Sequence, residues 1–130
     1  DDTTLWSWGF NGYGQVGDGT TTSRNSPIRV GSQCRSVSAG YYHTVAVLLD
    51  GAVWAWGWNP YGQIGDGSTT TRYNPVHVST GFAAVSAGGM HTAALALDGS
   101  LWVWGSNESG QIGDGIGSDR TRPTRVVPLG

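Results

Sequence analysis

The chain has 130 residues, enough for one small domain, and a formal charge of -2 with no lysine. Charged side chains make up only 12% of it, while Gly (22) and Trp (7) are abundant; this balance lacks the basic footprint that nucleic acid requires and suits short strands, tight turns and a Thr/Ser/Gly surface. Cys34 is the single cysteine, which excludes an intramolecular disulfide and a thiolate metal cluster, and no apolar run approaches the ~18 residues of a membrane-spanning helix.

Leu5 to Gly9 alternate, with Trp6 and Trp8 on one face and Leu5 and Ser7 on the other, which is the period of a strand. Phe10 to Ser26 carry Gly at nearly every third position and a Thr20-Thr21-Thr22 run, and predict a long loop that needs internal hydrogen bonds to stay compact. Pro27 to Val30 predict a strand opened by proline, hence the outermost of its sheet. Arg35 to Ala39 predict an innermost strand, because their small side chains suit a crowded position. His43 to Leu49 predict the next strand, which ends at the turn dipeptide Asp50-Gly51. The tryptophan strand then returns as Ala52 to Gly57. Tyr73 to Val78, Phe82 to Ala87, His91 to Leu97, Ser100 to Gly105 and Pro123 to Val127 repeat the order. Gly, Pro and β-branched residues interrupt every window that would make a helix.

The repetition is regular. Trp8, Trp56 and Trp104 stand 48 residues apart, each followed by Gly-Gln-Val/Ile-Gly-Asp-Gly at 14–19, 62–67 and 110–115. Arg24, Arg72 and Arg120 keep the interval, as do Pro27, Pro75 and Pro123, while His43-Thr44 returns as His91-Thr92. One supersecondary unit is therefore stacked on copies of itself. With strands named A (inner), B, C (tryptophan) and D (outer), the chain reads C-D, A-B-C-D, A-B-C-D. This predicts an all-β fold: a β-propeller segment of about two and a half four-stranded antiparallel blades. The array is single, with a half blade over 2–33 and full blades over 34–81 and 82–130. Trp6, Trp8, Trp54, Trp56, Trp102 and Trp104 are expected to wedge one sheet against the next. The half blade leads to the expectation that the segment is part of a longer chain or of an assembly.

These repeats resemble those of the regulator of chromosome condensation family. The resemblance rests on Trp56-Gly57, Gly62-Gln63-Ile64-Gly65, Arg72, Pro75 and Gly88-Gly89-Met90-His91, and covers the whole chain. The Asp-Gly-Thr/Ser-Thr-Thr runs are similar to bacterial members. The resemblance implies a seven-bladed propeller with binding surfaces on its faces, and functions as different as nucleotide exchange on a small GTPase, nucleosome docking, ultraviolet-B sensing and enzyme inhibition. The fold alone does not choose among them. The photoreceptor type has a Gly-Trp-Arg-His-Thr run; Gly40-Tyr41-Tyr42-His43-Thr44 and Gly88-Gly89-Met90-His91-Thr92 hold neither its Trp nor its Arg.

Asp18, Asp66 and Asp114 sit in Gly-Asp-Gly turns beside hydroxyls. One carboxylate per loop is too few for calcium, so each is expected to fix its turn, with Arg24, Arg72 or Arg120 as partner. His43 and His91 open the B strands and are expected to hydrogen-bond a neighbouring blade's backbone rather than a metal. Cys34, at the place of Phe82, suits a small buried apolar residue. Glu108 has no carboxylate partner for acid–base work, and no nucleophile–base arrangement stands outside the repeat, so no enzyme and no cofactor are expected. Residues that break the repeat are the better functional candidates: Tyr41, Tyr42, Trp58, Pro60, Tyr73 and Met90, as partner-binding loops. The leading expectation is a non-enzymatic protein-binding propeller scaffold. The alternatives are a self-associating repeat protein, joined to copies of itself through exposed blade flanks, and a carbohydrate-binding propeller. Low charge and Ser/Thr-rich loops lean towards a secreted bacterial protein.

Overall fold

The computed structural model describes residues 3–107 and 118–126. These hold ten strands and no helix: β1 (Leu5–Gly9), β2 (Arg24–Gly31), β3 (Cys34–Ala39), β4 (His43–Leu48), β5 (Val53–Gly57), β6 (Arg72–Ser79), β7 (Phe82–Ala87), β8 (His91–Ala96), β9 (Leu101–Gly105) and β10 (Arg120–Arg125). They form a two-stranded sheet β1-β2 and two four-stranded sheets, β3-β4-β5-β6 and β7-β8-β9-β10, antiparallel throughout. This is the strand order of propeller blades, two complete and one half.

Two outer strands begin earlier than proline placement predicts, at Arg24 and Arg120, three residues ahead of Pro27 and Pro123, while the one expected from Tyr73 begins at Arg72. The register explains it: pairing jumps from Ser7↔Ile28 to Gly9↔Arg24, and from Ala55↔Val76 to Gly57↔Arg72. A bulge absorbs the residues between, so proline's missing N–H falls outside the ladder.

The core lies in the seams between sheets. In one seam Val45, Val47, Val53 and Ala55 of the middle sheet meet Phe82, Ala94 and Trp104 of the next, closed above by Ile64. The other seats Trp56 against Leu5, with Ala46 beside them. Trp56 and Trp104 are 1% and 0% exposed, whereas Trp6 and Trp8 remain 49% and 60% exposed. The wedge expected of all six indoles therefore operates at the two interior seams, because burial needs a preceding sheet to receive the ring. Cys34 is half-buried rather than buried like Phe82, and burial pushes its thiol pKa up; that shift opposes reactivity.

Candidate partner-binding face

Antiparallel strands alternate direction, so the A–B turns and the long C–D loops emerge at one end of the sheets. The B–C turns and D–A connections emerge at the other. The first end carries most residues that break the repeat, and it is built on a rigid frame.

The frame is polar and buried. Asn11, fully buried, accepts from the Val16 N–H and donates through Nδ2 to the Thr20 and Thr22 carbonyls, each at 2.9 Å. Asn59 repeats this with Ile64 N–H at 2.9 Å and the carbonyls of Ser68 and Thr70 at 3.1 and 2.9 Å. Asn107 donates to the Ser118 carbonyl at 3.1 Å. One side chain thus satisfies three backbone groups that a loop of this length would otherwise leave unpaired. The asparagines were not among the sequence candidates, although 11, 59 and 107 keep the 48-residue interval.

Each aspartate ties down the far side of its loop. Asp18 Oδ1 accepts from the Thr20 hydroxyl (2.6 Å) and N–H (3.0 Å), and Oδ2 accepts from Arg24 Nε at 2.7 Å. The Thr20 hydroxyl bond, with Arg24 beside it, brings the Asp18 pKa down to about 2 despite an opposing desolvation. Asp66 pairs with Ser68 and Arg72 in the same geometry; burial pushes its pKa up, but those bonds outweigh it and leave it below the ordinary value. Asp114 and Glu108 lie outside the described residues. Arg120 donates to the Ser118 carbonyl at 2.6 Å.

The histidines serve the seam. His43, 1% exposed, places Nε2 2.9 Å from the Thr92 hydroxyl of the next sheet, and Thr92 donates to the Gln63 carbonyl at 2.7 Å. The bond thus reaches a hydroxyl of the neighbouring blade, and the His91 backbone of that blade also interacts with the His43 ring. Burial, with repulsion from His91, draws the His43 pKa down to about 4. His91 is half-buried. Among the described residues no group of three or more His, Cys, Asp or Glu converges as a metal site.

On this frame sits a block of aromatic rings. Tyr42 and Trp58, both sequence candidates, contact each other with centroids 5.5 Å apart, and Tyr13 touches both at 4.9 and 5.3 Å. Phe10 extends the block beside Tyr13 and Tyr42 (6.2 and 6.4 Å), and Tyr61 beside Trp58 (5.8 Å). Rings this close fill the space among themselves, so they form a solid block rather than a cage around a cation. Phe10, Tyr13 and Tyr61 were not among the sequence candidates. The signal was there: Phe10 and Trp58, like Tyr13 and Tyr61, are 48 residues apart.

The other candidates lie around this block without joining it. Tyr41 is 72% exposed and lies over Gly89 of the next sheet, where an added Cβ would come within 3.1 Å of its ring. Tyr73 covers Gly14, and its carbonyl accepts from the Gly19 N–H at 2.9 Å. Pro60 is exposed beside Tyr61. Met90 is half-buried at the place Tyr42 holds one repeat earlier, its carbonyl accepting from Ser106 N–H. The ionisable groups of the two complete loops are spent on each other, Asp18 with Arg24 and Asp66 with Arg72. These two pairs therefore add no net charge beside the rings, and Arg122 lies against Gly67 of the second loop.

Comparison with known proteins agrees with this architecture. The regulator of chromosome condensation (RCC1) repeat matches residues 2–47, 50–95 and 98–130, and a second form of the same repeat matches 34–63 and 82–111. Each of the longer matches begins near the tryptophan strand, so the sequence repeat straddles two sheets and links them covalently. Yeast RCC1 (Prp20), in its crystal structure bound to Kap60, is similar over 96% of this chain and 33% of its own, with 25% identity and a TM-score of 0.87. Prp20p from Saccharomyces cerevisiae, described with its binding properties to Gsp1p and histones, superposes with a TM-score of 0.83 at 26% identity, over 96% of this chain and 34% of that one. Human WBSCR16 gives 0.82 at 28% identity, over 98% and 36%. The chain thus spans about a third of the length of these proteins. The three consecutive matches cover nearly all of it, on sheets of the same order, and the chain belongs to the regulator of chromosome condensation (RCC1) repeat family.

Proposed function

We propose that this chain is a segment of a non-enzymatic propeller scaffold, and that it holds a protein partner on the face bearing the A–B turns and C–D loops. The aromatic block carries the reading. The frame residues Asn, Gln, Gly, Asp and Arg recur in all three repeats, whereas the rings do not: Phe10 and Trp58 give way to Ser106, Tyr13 and Tyr61 to Ser109, and Tyr41-Tyr42 to Gly89-Met90. Packing alone would be served by repeating them. Half-exposed Tyr and Trp on rigid loops offer large contact area at little entropic expense, surrounded by Ser, Thr, Gly and Asn that adapt their hydrogen bonds. Of the proteins named above, yeast RCC1 (Prp20) is described with protein partners, which supports the class of function without identifying a partner here.

The test is differential capture. The chain and a Tyr42→Ser/Trp58→Ser variant are immobilised beside a control altered at the opposite end, Leu49→Ser/Leu97→Ser, and bound proteins are quantified. A partner retained by the parent and the control, and weakened about 30-fold by the aromatic variant (~2 kcal/mol for a central hot spot), is the expected result. A bound set indifferent to Tyr42 and Trp58 rejects this face. Saturable binding to a glycan array, lost in the same variant, would replace the protein reading with a carbohydrate one.

A further inference from the structure

The base of the seam between the middle and last sheets differs from its counterpart one repeat earlier. A pocket of about 380 Å³ lies there, bounded by residues 79–81 of the D–A connection, by Asp98 and Ser100 of the B–C turn, and by Phe82, Ala96 and Trp102. Phe82, Ala96 and Trp102 also belong to the core shared with the middle sheet, so the pocket sits at an interior seam. Forty-eight residues earlier the chain has Gly31, Gln33, Leu48 and Ala52; here it has Ser79, Gly81, Ala96 and Ser100. Two bulky side chains are exchanged for space and two hydroxyls are gained, while the indole is kept. Trp54 Nε1 is buried without a partner, whereas Trp102 Nε1 donates to Ser100 Oγ at 2.8 Å.

Ser100 Oγ in turn donates to Asp98 Oδ1 at 2.5 Å, which also accepts the Ser100 N–H at 2.9 Å. These bonds, with Arg125 near, hold the Asp98 carboxyl below its ordinary range, so it is charged at neutral pH with Oδ2 open to accept. The Ser79 and Thr80 hydroxyls form no hydrogen bond with another described residue. We propose that this pocket binds a neutral monosaccharide, with a C–H face of the sugar ring against Trp102 and its hydroxyls shared among Ser79, Thr80 and Asp98. An apolar floor with a few convergent polar groups is the usual form of a small-molecule site. Serine and threonine hydroxyls both donate and accept, as sugar hydroxyls do, and the carboxylate accepts. Arg125 beside Asp98 disfavours a cationic ligand, and Asp98 itself disfavours an anion. The pocket lies at the end of the sheets opposite the aromatic block, so neither reading rests on the other.

The test offers glucose, galactose, mannose and N-acetylglucosamine, with choline as a cationic probe, to the whole chain and reads binding by saturation-transfer NMR. At least one sugar is expected to bind saturably and in preference to choline. Ala96→Leu and Ser100→Ala install the residues that the middle sheet carries at these positions, Leu48 and Ala52. The first is expected to abolish binding by filling the pocket, and the second to weaken it about 10-fold, because Asp98 loses the hydroxyl that orients it. Tyr42→Ser/Trp58→Ser is expected to bind as the parent does. A folded parent that binds none of the sugars, sugar binding indifferent to Ala96→Leu or to Ser100→Ala, preference for choline, or binding lost in the loop-face variant overturns the inference. If Ala96→Leu fails to fold, Ser79→Gly, which installs the residue found at Gly31, replaces it with an expected loss of about 10-fold, and unchanged binding there rejects the site.

Discussion

His43 donates its Nε2 proton to Thr92, because the Thr92 hydroxyl has already given its own proton to the Gln63 carbonyl. The ring is therefore neutral, with Nδ1 bare and buried without a partner. Protonating it would place an unsolvated charge in a blade seam, next to His91. Its pKa falls on folding from 6.5 to about 4, so the unfolded chain takes up the proton first as pH falls. Stability from this group is complete above pH 6.5 and is lost as pH falls towards 4, about 3 kcal/mol in all. Denaturant midpoints between pH 7.5 and 4 should fall steeply for the parent, and His43→Gln should flatten the slope. Asp18 and Asp66, whose pKa values are lowered, add a second loss as pH falls below 3.8. The buried asparagines matter in the same way. Asn59→Ala removes one acceptor and two donated bonds from backbone groups, and should lower unfolding free energy by ~3 kcal/mol, measured by urea titration. Their recurrence was legible in the sequence; their task was not, because it depends on a loop folding back nine to eleven residues onto the side chain.

The C–D loop is the element on which site and core meet. Trp56 Nε1 donates to the Gln15 carbonyl at 2.9 Å, so the loop of one repeat grips the indole of the next. Gly17 and Gly65 lie flat against Trp56 and Trp104, and a Cβ at Gly65 would stand 2.5 Å from Trp104 Nε1, on a backbone with φ of +88°. Gly99, in the B–C turn, has the same φ but nothing within 4 Å of an added Cβ. The pair separates strain from collision. Gly99→Ala should lower stability by ~1–2 kcal/mol, the left-handed penalty alone, whereas Gly65→Ala should exceed ~3 kcal/mol because a buried ring must also move. Thermal unfolding of the two variants checks this, and equal losses would show that the loop yields. The Gly-Asp-Gly motif announced a turn from the sequence, and the Asp18–Arg24 pairing followed from its recurrence. That the same turn seals a core on the next sheet did not follow, because a local motif does not specify which distant ring lies above it.

At the scale of the molecule, stability resides between sheets rather than within them. Trp56→Ala should lower unfolding free energy by ~3–5 kcal/mol, while Trp8→Ala should change it by less than ~1 kcal/mol, although the two residues occupy one repeat position. Denaturant titration distinguishes them, and similar losses would contradict the seam account. By itself the sequence determined the repeat, the all-β class, the strand order and the turn chemistry, since hydrophobic alternation and the placement of Gly, Pro and Asp act over a few residues and recur every 48. Only the tertiary structure decided which tryptophans are buried, which asparagines are structural, and which aromatics gather: Tyr42 and Trp58 join Phe10, Tyr13 and Tyr61, while Tyr41 and Tyr73 lie apart. The physical reason is that burial and ring contact depend on what the neighbouring sheet presents at a given height. Identical repeat positions therefore meet different surroundings along the array.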